Sequence, residues 1–212
     1  MQKTQHAETR ADAHERILAR VERAVGHGWL ARVLASEIAM VRYALFGKRG
    51  EPEGFSTHRG IGAIYGALIG VGTIELVGVH VLLTLLTPGW AWVHALFAGY
   101  GLLWLTADAR ALRGRPIRFE GDQMHIPFGF RSSLKVSKAQ VAGVYPYRTT
   151  DAKADEHLTF VTLVKPTHTV VFARPVTAFG VYGIKRQATS VSVTLDEPDA
   201  FDAALKQWWT PE

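Results

Sequence analysis

The chain has no cysteine, which excludes disulfides, thiolate metal sites and cysteine nucleophiles. Charge is missing from its middle. Between Ile61 and Ala107 the sole Asp, Glu, Lys or Arg is Glu75, although charged residues make up 20% of the whole. The start, MQKTQHAETRADAHERILAR, has no apolar core and no small-residue cleavage site, so a cleavable signal peptide is not expected. There is also no HExxH, phosphate loop, dinucleotide fingerprint or nucleophile–base motif, and nothing in the soluble part points to a known enzyme chemistry. The net charge of +5 does not require nucleic acid, since no DNA- or RNA-binding signature accompanies it and many of the basic residues flank the uncharged stretch.

That uncharged stretch is the main feature. Ile61–Leu86 and Trp90–Ala107 are apolar segments separated by Thr87-Pro88-Gly89. Each is near the roughly 20 residues that cross a hydrocarbon core of about 30 Å as a helix. The reading is a membrane α-helical hairpin over 59–110, between an N-terminal amphipathic or interfacial helical region (1–58) and a cytosolic domain (114–212). Arg42, Lys48, Arg49 and Arg59 precede the first span, Arg110, Arg113, Arg115 and Arg118 follow the second, and the turn carries no charge. The positive-inside rule then puts both termini in the cytoplasm of a bacterial inner membrane, with the turn outside and Trp90 and Trp92 in the outer interfacial belt.

Ionisable groups within such spans are costly, about 2.5–3.5 kcal/mol for a charge at a helix centre, and usually serve some purpose. His80 and His94 are equally far from Thr87 and so lie at about the same depth, with Glu75 deeper on the first helix and Tyr100 near its level as a polar partner. Glu75 and His80 are about 140° apart on the helix and do not share a face. Three readings stay open. The groups hold helices together; or His80, His94 and Glu75 bind a transition metal or haem, as imidazole and carboxylate ligands can; or they relay protons. Two spans are too few for a relay pathway without oligomerisation. Gly62, Gly66 and Gly70 make two overlapping GxxxG steps, expected to serve helix packing against the second span or a second copy. Near the inner surface, Glu37, His58 and Asp108 form a further candidate cluster beside Arg110. The simplest expectation there is a solvated Asp108–arginine pair and an exposed His58.

Residues 8–46 read as helical with a break at Gly26-His27-Gly28, the second part lying on the inner leaflet or packed on the C-terminal domain. After Pro116 the pattern changes to short alternating strands: Ile117–Glu120, Gln123–Pro127, Arg131–Val136, Gln140–Tyr147, His157–Val164, Thr169–Ala173 and Ser190–Leu195. Asp196-Glu197-Pro198-Asp199 is expected to cap a final helix with Phe201, Leu205 and Trp208 on one face. This is an α+β domain, a small β-barrel or sandwich with a terminal helix. Residues 174–191, rich in glycine and aromatics and containing Lys185-Arg186, read as a loop or as a contact for lipid headgroups or a partner.

The order of IRFEGDQMHIPFG, SSLKVSKAQVAGV and TSVSVTLDEPDAFDAALKQW resembles the bacterial pleckstrin-homology-like domain found beside transmembrane hairpins. SEIAMVRYALFG, IELVGVHVLL and YGLLWLTADARALR are similar to an uncharacterised family of small bacterial inner-membrane proteins. That resemblance implies an E-x-x-G-x-H element at Glu75, Gly78 and His80 and brings no activity. The expected function is a membrane-anchored interaction or scaffold module whose helical hairpin oligomerises and whose PH-like domain binds protein or lipid. The alternative is a membrane-embedded, metal- or haem-dependent, oxidoreductase-like enzyme using His80, His94 and Glu75.

Overall fold

A computed structural model describes residues 20–24, 28–47, 53–130, 132–148, 156–159 and 164–209. Of the helical region expected over 8–46, residues 8–19 and the first two residues of its break, Gly26 and His27, lie outside the described residues, as does most of the strand expected after Thr159. Three long helices are followed by a mixed seven-stranded sheet and a last helix, an α+β arrangement. Helix α1 is Trp29–Phe46, α2 is Arg59–Leu86 and α3 is Pro88–Gly114. Pro88 opens α3 at a position whose N–H has no helical partner to lose, so the turn between α2 and α3 is a single residue, Thr87.

Helices α2 and α3 pack side by side along their length. Among the described residues one helix, α2, is long and apolar enough to cross a membrane, with a mean hydropathy of 2.0 and no buried residue in its most apolar window. The second expected span is one long helix, yet Trp90, Trp92, His94, Tyr100 and Asp108 dilute its apolar character. Helix α1 lies against α3 and runs in the same direction, with Glu37 beside Tyr100 and Ala44 beside Arg110. Its small face makes this approach possible: Met40 and Ala44 meet Ala107 and Ala111. The opposite stripe, Leu30, Leu34, Ile38, Val41 and Leu45, is exposed.

The sheet begins with β1 (Arg118–Glu120), β2 (Gln123–Phe128) and β3 (Ser132–Ser137), joined by tight turns in which Gly121 and Gly129 take φ of +57° and +53°. It continues through β4 (Val141–Pro146), β5 (His157–Thr159), β6 (His168–Phe179) and β7 (Lys185–Val193). The order is β1-β2-β3-β6-β7-β5, with β4 also paired to β6 and only β5–β7 parallel. Side chains alternate as the period of two requires: Met124 and Ile126, Leu134 and Val136, and Val191 and Val193 point inward. Helix α4 (Pro198–Trp208) closes the core with Phe201 and Leu205, as its helical spacing predicts. Phe201 is fully buried between Phe55 and Phe119, with ring centroids at 5.2 and 5.5 Å.

Two expectations need correction. The segment 174–191 is mainly strand: β6 runs on to Phe179 and β7 starts at Lys185, so the true turn is only Gly180–Ile184. Pro175, which cannot donate to a ladder, sits where the β6–β7 register shifts between Val171 and Val176, and that bulge is what disguised the strand. Asp196 does not cap α4 either; Glu197 occupies that position and makes no side-chain cap.

Candidate functional site

The polar side chains of the helices form three junctions, each joining helix to domain. In the first, both Glu37 carboxylate oxygens accept the Tyr100 hydroxyl at 3.0 Å, and Oε1 also accepts the Tyr182 hydroxyl at 2.9 Å. One half-buried carboxylate thus ties together α1, α3 and the β6–β7 turn. Its hydrogen bond to Tyr182, then burial, push that phenol's pKa well above its ordinary value. Tyr182 has φ of +59°, a conformation rare outside glycine. The fold tolerates it where the hydroxyl reaches Glu37.

The second junction centres on Asp108, which is 0% exposed. The group is enclosed and not solvated as expected. Its carboxylate accepts the Tyr65 hydroxyl from α2 and the Phe130 backbone N–H at 3.3 Å, while Arg110 turns away to the Ala44 carbonyl. Arg115 holds the other side of the same turn through the Gly129 carbonyl at 2.7 Å. A Cβ on Gly129 would collide with the Asp108 carboxylate, so the turn needs glycine for space as well as for φ.

In the third, Asp196 caps α2 from across the chain. Its oxygens accept the backbone N–H of His58 at 3.0 Å and of Arg59 at 3.0 and 3.1 Å, and its own N–H donates to the Ser56 carbonyl. A carboxylate here satisfies otherwise unpaired amides and faces the positive end of the helix dipole. His58, expected to be exposed, is held by this group: its Nδ1 is 3.4 Å from Asp196 and also meets the Ser56 hydroxyl. Serine and carboxylate share one ring nitrogen, so the trio lacks the relay of a hydrolase, which needs the two nitrogens used separately. Glu37, His58 and Asp108 therefore belong to separate junctions and not to one cluster.

The candidates on the two apolar helices are also dispersed. His80 lies 3.0 Å from the Ala91 carbonyl through Nδ1 and edge-on to Trp92 at 5.4 Å, stapling the turn between α2 and α3. His94 has a buried Nδ1 with no hydrogen-bond partner among the described residues. Glu75 is exposed on α2, and Tyr100, its expected partner, serves Glu37. No three His, Asp or Glu side chains among the described residues converge to hold a metal. Of the glycines, a Cβ on Gly62 would stand 3.7 Å from Arg113 Nη2, and one on Gly66 or Gly70 would meet nothing within 4 Å. The close approach of α2 to α3 is made instead at Gly72, where a Cβ would stand 2.9 Å from Leu102 Cδ2.

In the β domain, His157 accounts for both ring nitrogens with Ser190 at 2.7 Å and Ser192 at 2.9 Å, and His168 faces Asp202 at 3.2 Å. Ser192 is almost fully buried, which suits a structural tie. Tyr65, Tyr182 and Asp196 escaped the reading of the sequence because their partners are far away in the chain and no local motif marks them. No family model, curated protein or solved structure matches this chain.

Proposed function

We propose that the protein is a membrane-anchored interaction module of the bacterial inner membrane. Helices α2 and α3 form the anchor, the turn between them faces outside, and the β domain, which resembles the pleckstrin-homology-like type, is presented at the inner face. One observation carries this: the apolar shaft of α2 beyond Tyr65 is uncovered, while its base is clamped to the β domain through Asp108 and Asp196. An uncovered apolar helix of this length in water would be a large exposed patch, and a bilayer removes that cost. The three junctions support a rigid mount over a flexible leash. The open ridge at Gly66 and Gly70 supports pairing with a second copy, since close backbone approach is how membrane helices associate.

The absence of cysteine makes a clean test possible. Single cysteines at Gly89 and Asp122 are probed in whole cells with an impermeant thiol reagent, and membranes are washed with alkaline carbonate. The expected result is retention in the pellet, labelling of the Gly89 site from outside, and labelling of the Asp122 site only after lysis. Release by carbonate, or the reverse labelling, refutes the reading.

A further inference from the structure

We propose that the β6–β7 turn is a second membrane contact, a wedge that inserts beside the anchor and selects anionic phospholipid. It rests on the anchor reading and names a ligand for the β domain. The turn presents two half-exposed apolar side chains: Phe179 is 49% exposed and Ile184 56%. Directly behind them stand two exposed cations, Lys185 and Arg186, at the start of β7. Lys185 lies over the Phe179 ring at 5.7 Å, so the charge travels with the apolar tip. No ion pair with an acidic side chain occupies either cation among the described residues. An apolar end with cations just behind it is the chemistry of a segment that dips into the acyl boundary and leaves its charges among phosphates.

The depth agrees. Tyr182 meets Glu37, and Glu37 meets Tyr100, so the turn lies at the level of Tyr100. A core of about 30 Å measured from Thr87 at about 1.5 Å per residue ends near Ala107. Tyr100 is thus roughly 10 Å inside its inner boundary. Interfacial elements reach about 5–10 Å into that region. Lys185 pairs with Phe179 across the base of the turn and Arg186 follows it, and their long side chains can snorkel from there toward the headgroup plane. The exposed stripe of α1, with Ile38 and Val41 flanking Glu37, continues the same apolar surface. Each cation near an anionic leaflet is worth roughly fivefold in partition. Losing both removes on the order of 25-fold of the preference for anionic lipid.

The test uses the full chain in nanodiscs of phosphatidylcholine, with and without phosphatidylglycerol. One single-cysteine variant, Ile184→Cys, carries an environment-sensitive fluorophore at the turn; a second, Val77→Cys, carries it on the exposed shaft of α2. The expected result is lipid-like emission from the Val77 site in both discs. At the Ile184 site a blue shift and quenching by acyl-chain nitroxides should strengthen with phosphatidylglycerol and be lost in Lys185→Gln/Arg186→Gln. A lipid-like Val77 site with a water-like Ile184 site overturns the wedge alone. An Ile184 response indifferent to phosphatidylglycerol or to the double substitution overturns the lipid selection. Water-like emission from both sites overturns the anchor and the wedge with it.

Discussion

Replacing Asp196 by alanine removes the cap of a helix that starts far from it in sequence. The side chain is 4% exposed and accepts two backbone N–H groups at 3.0 Å, so water does not readily replace it. A lost N-cap costs about 1 kcal/mol, up to about 2 in protein hosts. Removing an anion from the positive end of a helix adds about 0.3–1 kcal/mol. The expected loss is therefore about 2 kcal/mol, or a fall in Tm of roughly 4–8 °C for a chain of this size. Asp196→Asn keeps one acceptor oxygen and loses about half as much. The adjacent Glu197 supplies the control: its pair with Arg59 at 3.2 Å is exposed on both sides and is worth no more than about 0.5 kcal/mol. Thermal unfolding in detergent measures all three variants, and hydrogen exchange at His58, Arg59 and Gly60 reports the cap directly. Equal behaviour of Asp196→Ala and Glu197→Ala, with those amides still protected, would refute the reasoning.

Gly129→Ala and Gly121→Ala impose the same backbone strain, since φ is +53° and +57°, yet only the first meets the Asp108 carboxylate. Denaturation should show a cost on the order of 3 kcal/mol for Gly129→Ala and about 1 kcal/mol for Gly121→Ala; similar values would discount the Asp108 junction. For Tyr182 the folded pKa lies above the unfolded value of 10.0, so its stabilising contribution is complete below that pH and declines as pH climbs above it. A difference titration against Tyr182→Phe should reveal one phenol ionising later than a free tyrosine, and its absence would count against the contact with Glu37. Gly66→Leu and Gly70→Leu have open space around them, so the fold of one copy should be unchanged while cross-linked dimers decline. Unaltered cross-linking would place the partner face elsewhere.

The helical hairpin is legible because composition alone marks it: a single charge in a long apolar stretch needs no partner to be seen. Helix α4 and strands β2 and β3 are legible for a related reason, their periods of 3.6 and 2 being written in neighbouring residues such as Phe201 and Leu205 or Met124 and Ile126. The junctions are not. Asp196 stands before a helix-opening proline and carries every local sign of a cap for α4, but a better-placed set of amides 138 residues away takes its carboxylate. Asp108 beside Arg110 looks like a surface pair until Phe128-Gly129-Phe130 folds over it and Tyr65 supplies a hydroxyl. Glu37 looks like a stray charge on an apolar helix, and its two tyrosines come from segments with no common pattern. In each case the deciding contact is long-range, and sequence periodicity is silent about such contacts.

The distance between Asp196 and the amides it serves also sets an order of events during synthesis. At about 5–20 residues per second, those 138 residues are made over roughly 7–28 seconds. For that interval α2 exists without its cap, and the strands that carry Asp196 into place are still inside or emerging from the ribosome. The apolar helices must therefore find their environment on their own, and the β domain locks them only afterwards. The last part of the chain works as a latch that closes on helices already formed.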